Sequence, residues 1–190
     1  MKKKLFLAAL AAICLAILGY GTFAAYTTNN RARNVITTGK IDISIVEQQA
    51  SGGQFVPYPD QPIPVMPTST VSKIVAVRCN EEQAYIRMRY SVIFRDPAGN
   101  DLPLDPSVVH IVPTGQNWIA SDGWFYYNAP LSAGEVTEPL FESVSFSGAG
   151  MGNEYQNATV IIQIHAQSVQ TANNPIPAAG ITAVPGWPNA

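Results

Sequence analysis

The sequence predicts an all-β protein, an antiparallel jelly-roll or immunoglobulin-like sandwich that follows an N-terminal signal peptide. Three observations carry this. Short runs of alternating apolar and polar residues recur along the chain. Gly- and Pro-rich turn segments separate them. No amphipathic helix stands out beyond the first 25 residues.

The opening segment has the order of an export signal. Lys2, Lys3 and Lys4 form a basic stretch, Leu5 to Leu18 an uncharged apolar one, and Ala24 and Ala25 supply small residues at a cleavage point. Cleavage after Ala24 or Ala25 leaves Tyr26 at or beside the new N-terminus. The apolar run is shorter than the roughly 20 residues of a stable bilayer span, and an uncleaved anchor is the alternative. Removal of the signal leaves eight basic against 13 acidic residues, a net charge of −5. No basic patch remains to neutralise a phosphate backbone, so nucleic acid is not an expected partner.

Cys14 leaves with the signal, and Cys79 is then the single thiol of the mature chain. It cannot close an internal disulfide. A buried, half-apolar side chain is the simple reading, and an intermolecular pair the sharper one.

In the mature chain, Ile41, Ile43 and Ile45 alternate with Asp42 and Ser44 as a half-buried strand. Five prolines between Pro57 and Pro67 follow, and a segment that loses so many ladder donors cannot be a central strand. The stretch 55–68 is read as a Pro-rich, extended loop. Val71 to Cys79 is a second strand. The clearest is "AYIRMRYSVIF", with Ala84, Ile86, Met88, Tyr90, Val92 and Phe94 on one face and Tyr85, Arg87, Arg89 and Ser91 on the other. Arg87 and Arg89 therefore project from one face, either towards cross-strand carboxylates in solvent or as an anion site. "SVVHIV" is a short strand. "NWIASDGWFYYN" is a hairpin turning at Ser121-Asp122-Gly123. "LFESVSFS" and "ATVIIQIHAQSVQ" are two more strands. Beyond residue 172 the chain reads as a Pro-, Gly- and Ala-rich tail without regular structure. The expected organisation is signal 1–25, leader 26–38, sandwich 39–172 and tail 173–190.

Signs of catalysis are few. His110 and His165 are the two histidines and fall in separate strands. No metalloprotease, nucleophile-elbow or nucleotide-loop motif occurs, so no catalytic residue, cofactor or metal is assigned. Asp96, Asn100, Asp101 and Asp105 crowd one turn without EF-hand spacing, which reads as a solvated acidic turn. Asn157-Ala158-Thr159 matches the N-x-[ST] glycosylation acceptor. The aromatic cluster Trp118, Trp124, Phe125, Tyr126 and Tyr127 is more informative. Phe125 and Tyr127 share one face of a strand, Trp124 and Tyr126 the other. One pair faces the core. The other sits under a loop, against a partner subunit or on a glycan. Trp124 and Tyr126 are the candidate surface contacts for an extracellular glycan.

Gly21-Thr22-Phe23-Ala24-Ala25-Tyr26, followed by Thr38-Gly39 and Ile41-Asp42-Ile43, resembles the signal and first strand of proteins cut by the SipW-type signal peptidase, the group of TasA-like fibre subunits and camelysin-like proteins. "MPTSTVSKIVAVRCNEEQAYIRMRY" is similar to that group's central segment, with Pro67-Thr68 where the group has Pro-Gly. The likeness runs over most of 21–174. It implies a jelly-roll-like sandwich and an extracellular role as a biofilm-matrix or cell-surface fibre subunit. It also implies that the segment after the cut, Tyr26 to Thr37 with Asn34, Val35, Ile36 and Thr37 at its apolar end, is a donor strand added to the next subunit. The implied partners are the SipW-type peptidase and further copies of this chain or related fibre subunits. A secreted adhesin or glycan-binding module is the alternative.

Overall fold

The computed structural model describes residues 42–59 and 67–188. The signal, its cleavage residues Ala24, Ala25 and Tyr26, and the donor segment through Asn34, Val35, Ile36 and Thr37 lie outside the described residues.

Among the described residues ten strands form two antiparallel sheets. They are β1 (Ile43–Ser51), β2 (Gln54–Pro57), β3 (Thr70–Cys79), β4 (Ala84–Arg95), β5 (Asp101–Leu102), β6 (Val109–Ile111), β7 (Trp118–Ser121), β8 (Trp124–Tyr127), β9 (Phe141–Phe146) and β10 (Thr159–Gln170). The first sheet runs β2-β1-β3-β9-β6 and the second β10-β4-β8-β7, with β5 also on β4. The chain changes sheet after β3, β5, β6, β8 and β9, which ties the two layers together.

Period-two alternation decides which side chains enter the sandwich. Ile86, Met88 and Phe94 of β4 and Ile164 and Ala166 of β10 face Ile43, Val75, Val77, Phe141 and Val144 of the first sheet in one core. Tyr90 spans the layers, edge-on to Phe141 at 5.6 Å and stacked with Phe125 at 6.0 Å. Its hydroxyl donates to the Ile111 carbonyl, and burial raises its pKa. This all-β sandwich is the fold class the alternation predicts.

Turn chemistry sets two hairpin registers. Asp122 and Gly123 both have positive φ (50° and 76°), as a two-residue primed turn needs, and Trp118 pairs with Tyr127. Gly52 and Gly53 do the same for β1 and β2. The second hairpin corrects the sequence reading, since the Pro-rich loop was expected from residue 55. Gln54–Pro57 is an edge strand instead, and Pro57 sits where a missing N–H is tolerated. The loop's continuation, Tyr58, lies under the Lys73 ammonium at 3.8 Å, and Lys73 also pairs with Glu47 at 2.9 Å. Burial, then Glu47, raises the Tyr58 pKa.

Candidate functional site

Sheet order and alternation place Tyr85, Arg87 and Arg89 of β4 on the outer face of the second sheet, between Trp124 and Tyr126 of β8 and Gln167 and His165 of β10. The tail beyond β10 folds back over this face. Ile181 opens a 3₁₀ turn that Val184 closes, and with Trp187 they pack on Tyr85, Trp124, Tyr126 and Val169. Among the described residues the tail makes no strand pairing, yet it seals a second apolar cluster. Positive φ at Asn173 (63°) and Gly180 (94°) lets the chain reverse out of β10 and lie across the sheet.

This corrects the expectation of surface aromatic contacts: Trp124 and Tyr126 are each only 4% exposed. Loop cover, one of the alternatives left open by the sequence, is what they receive, while Phe125 and Tyr127 pack against the main core. The pair does not form an open platform for a glycan.

Arg87 is the keystone of the cover. Its Nε and Nη2 donate to Gln167 Oε1 at 2.8 and 2.6 Å, Nη1 to the Tyr126 hydroxyl at 3.1 Å, and Nη2 to the Pro188 carbonyl at 2.7 Å. Its guanidinium lies 4.2 Å from the Trp124 ring centre and 4.8 Å from that of Trp187. Arg89 lies 4.5 Å from the same Trp124 ring. The contacts run in the order Trp187, Arg87, Trp124, Arg89. Cross-strand carboxylates, or else an anion site, were the expectation for both arginines, and among the described residues neither has a carboxylate partner. Arg87 is instead satisfied by neutral oxygens and π-faces, which a planar, weakly hydrated guanidinium suits better than an ammonium would. The signal for this was in the sequence: Arg87 and Arg89 share a face, Trp124 and Tyr126 share another, and Trp187 stands in the tail.

The other candidates are dispersed. His110 is on β6 in one sheet and His165 on β10 in the other. Among the described residues no group of His, Cys, Asp and Glu has the geometry of a metal site, and no helix is long and apolar enough to cross a membrane. The acidic turn is held by its own bonds. Asp96 accepts from the Asn100 side chain and backbone N–H, Asp105 from the Ser107 N–H and hydroxyl, and Asp101 pairs with Arg95 at 2.7 Å. Those bonds hold the Asp96 and Asp105 carboxyls below the ordinary aspartate range. Cys79 is fully buried and its thiol donates to the Glu82 carbonyl at 2.9 Å. Burial is the largest cause pushing its pKa up, and Glu135 and Asp42 add to it.

One backbone feature went unremarked in the sequence. β10 pairs with β4 over all twelve residues, from Thr159 opposite Arg95 to Gln170 opposite Ala84. Among the described residues no strand pairs with its other edge. About half of its N–H and C=O groups therefore point away from the sheet.

No protein-family model, curated protein or solved structure matches this chain.

Proposed function

We propose that this is an exported structural protein, a subunit of a biofilm-matrix or cell-surface fibre that assembles by donating its mature N-terminal segment to the next copy. The observation that carries the reading is the second edge of β10. A twelve-residue strand spans about 40 Å, and Tyr26 to Thr37 is a segment of the same length immediately upstream of the sandwich. A peptide added to such an edge satisfies a row of backbone groups at once. Donation from one copy to the next is heterologous and so propagates into a filament. The resemblance of residues 21–43 to SipW-type export segments supports the same reading. Cleavage by a SipW-type peptidase would be the step that frees the donor.

The alternative of a secreted glycan-binding module loses its platform with the burial of Trp124 and Tyr126. The test is electron microscopy and size-exclusion chromatography of two chains, one starting at Tyr26 and one at Gly39. Filaments from the longer chain alone are expected. Monomers from both at high concentration would overturn the proposal.

A further inference from the structure

The aromatic–arginine ladder ends unevenly. At one end the tail covers Arg87 and occupies its donors. At the other, Arg89 is half-buried, its plane held 4.5 Å from the Trp124 ring centre, and it makes no hydrogen bond or ion pair among the described residues. His165 lies directly across from it on β10, and the Ser91–Gln163 hydrogen-bonded pair is the next rung along the sheet. A guanidinium fixed in orientation by stacking loses little freedom when it binds a carboxylate. The mature chain has 13 acidic residues against eight basic ones, yet among the described residues this cation has no acid beside it.

The counterpart is on the same molecule. The β3–β4 turn carries Glu81 and Glu82, both exposed, and among the described residues neither side chain has a hydrogen bond or an ion pair. Glu82 and Arg89 belong to one strand and its lead-in, seven residues apart, or roughly 23 Å along an extended chain. A copy's own turn therefore cannot reach its own Arg89, and the tail on Arg87 lies between them.

We infer that the Arg89 end of the ladder is a self-association surface that receives the Glu81–Glu82 turn of a second copy. The two patches differ, so the contact is heterologous and adds to a growing assembly rather than closing a two-fold dimer. It is independent of strand donation, because it uses residues of the folded sandwich alone. Screening over about 8 Å at physiological salt weakens the general repulsion between acidic copies and leaves this short-range pair in place. Arg stacked on Trp is also the residue chemistry that dominates many interface energies.

The test uses chains starting at Tyr26, with sedimentation velocity over a concentration series. Arg89→Glu and the double variant Glu81→Lys/Glu82→Lys are each expected to raise the concentration at the association midpoint by about tenfold or more. An equimolar mixture of the two variants is expected to restore it, since the acidic turn of the Arg89→Glu chain then meets Arg89 of the other chain and the reciprocal contact is again of opposite charge. Arg89→Gln serves as the neutral variant, and near-UV circular dichroism checks that each chain is folded. A midpoint unchanged by Arg89→Glu and Arg89→Gln overturns the inference, as does a mixture no better than either variant alone. Failure of strand donation reads differently, as loss of filaments on removing residues 26–38 with no response to charge exchange.

Discussion

Replacing Arg87 with alanine removes a side chain that joins β4, β8, β10 and the tail. Its hydrogen bonds to Gln167, Tyr126 and Pro188 and its stacking on Trp124 and Trp187 are lost together. Hydrogen bonds from a charged donor are worth roughly 1.5–3 kcal/mol each and a desolvated cation–π contact up to about 2. These do not add, because the variant also recovers the cost of burying the cation. Gln167, only 5% exposed, keeps an acceptor with no donor, at about 1–3 kcal/mol. A net loss of about 3 kcal/mol is expected, or roughly 6–12 °C in Tm for a domain of this size. Urea unfolding followed by tryptophan fluorescence measures it, and iodide quenching reports whether Trp187 has come free at low denaturant. Arg87→Lys keeps the charge without the fork and should recover less than half of the loss. An Arg87→Ala midpoint equal to wild type, with Trp187 still protected, would refute the keystone role.

Phe141→Ala opens the core where Tyr90 meets the first sheet and should cost about 3–5 kcal/mol by denaturant unfolding. Cys79 should react with a small thiol reagent at pH 8 more than about tenfold slower in the native chain than in urea, because burial raises its pKa and hides the sulfur. Asp96 and Asp105 have folded-state pKa values below their unfolded ones. The stability they contribute is present above the ordinary aspartate range and is lost as pH falls through the lowered folded values. Carboxyl titration by NMR should give midpoints below the ordinary range for both, and Asn100→Ala should bring Asp96 back towards it.

The strands that were plain in the sequence are those buried on one face. The alternation through Ala84–Arg95 and Thr159–Gln170 names the core residues because one face meets apolar neighbours and the other does not. The Asp122-Gly123 turn was legible for a similarly local reason, since its positive φ values need those residues. What stayed hidden is non-local. Trp187 and Arg87 are 100 positions apart, and nothing in the composition of a Pro- and Gly-rich tail says that it folds back onto a sheet. The same blindness left the cover of Trp124 and Tyr126 open between a loop, a partner and a glycan: alternation separates the two faces of the strand, not what covers each. β2 was read as loop because proline excludes central strands, and an edge is where that exclusion lapses. That no described strand pairs with the second edge of β10 follows from strand order, which no local pattern encodes.

Hydrogen exchange tests, at the backbone groups concerned, the proposal that the second edge of β10 receives the mature N-terminal segment of another copy. Alternate amides of Thr159–Gln170 point towards β4 and are protected in any folded copy; the others point outward. In assemblies of the chain starting at Tyr26 the outward amides of Thr159–His165, the stretch of β10 that is mostly half-exposed in the single copy, are expected to slow together, while in the chain starting at Gly39 they exchange faster; Ala166–Val169 are already buried and serve as the internal reference. Equal exchange of those amides in the two preparations would contradict it.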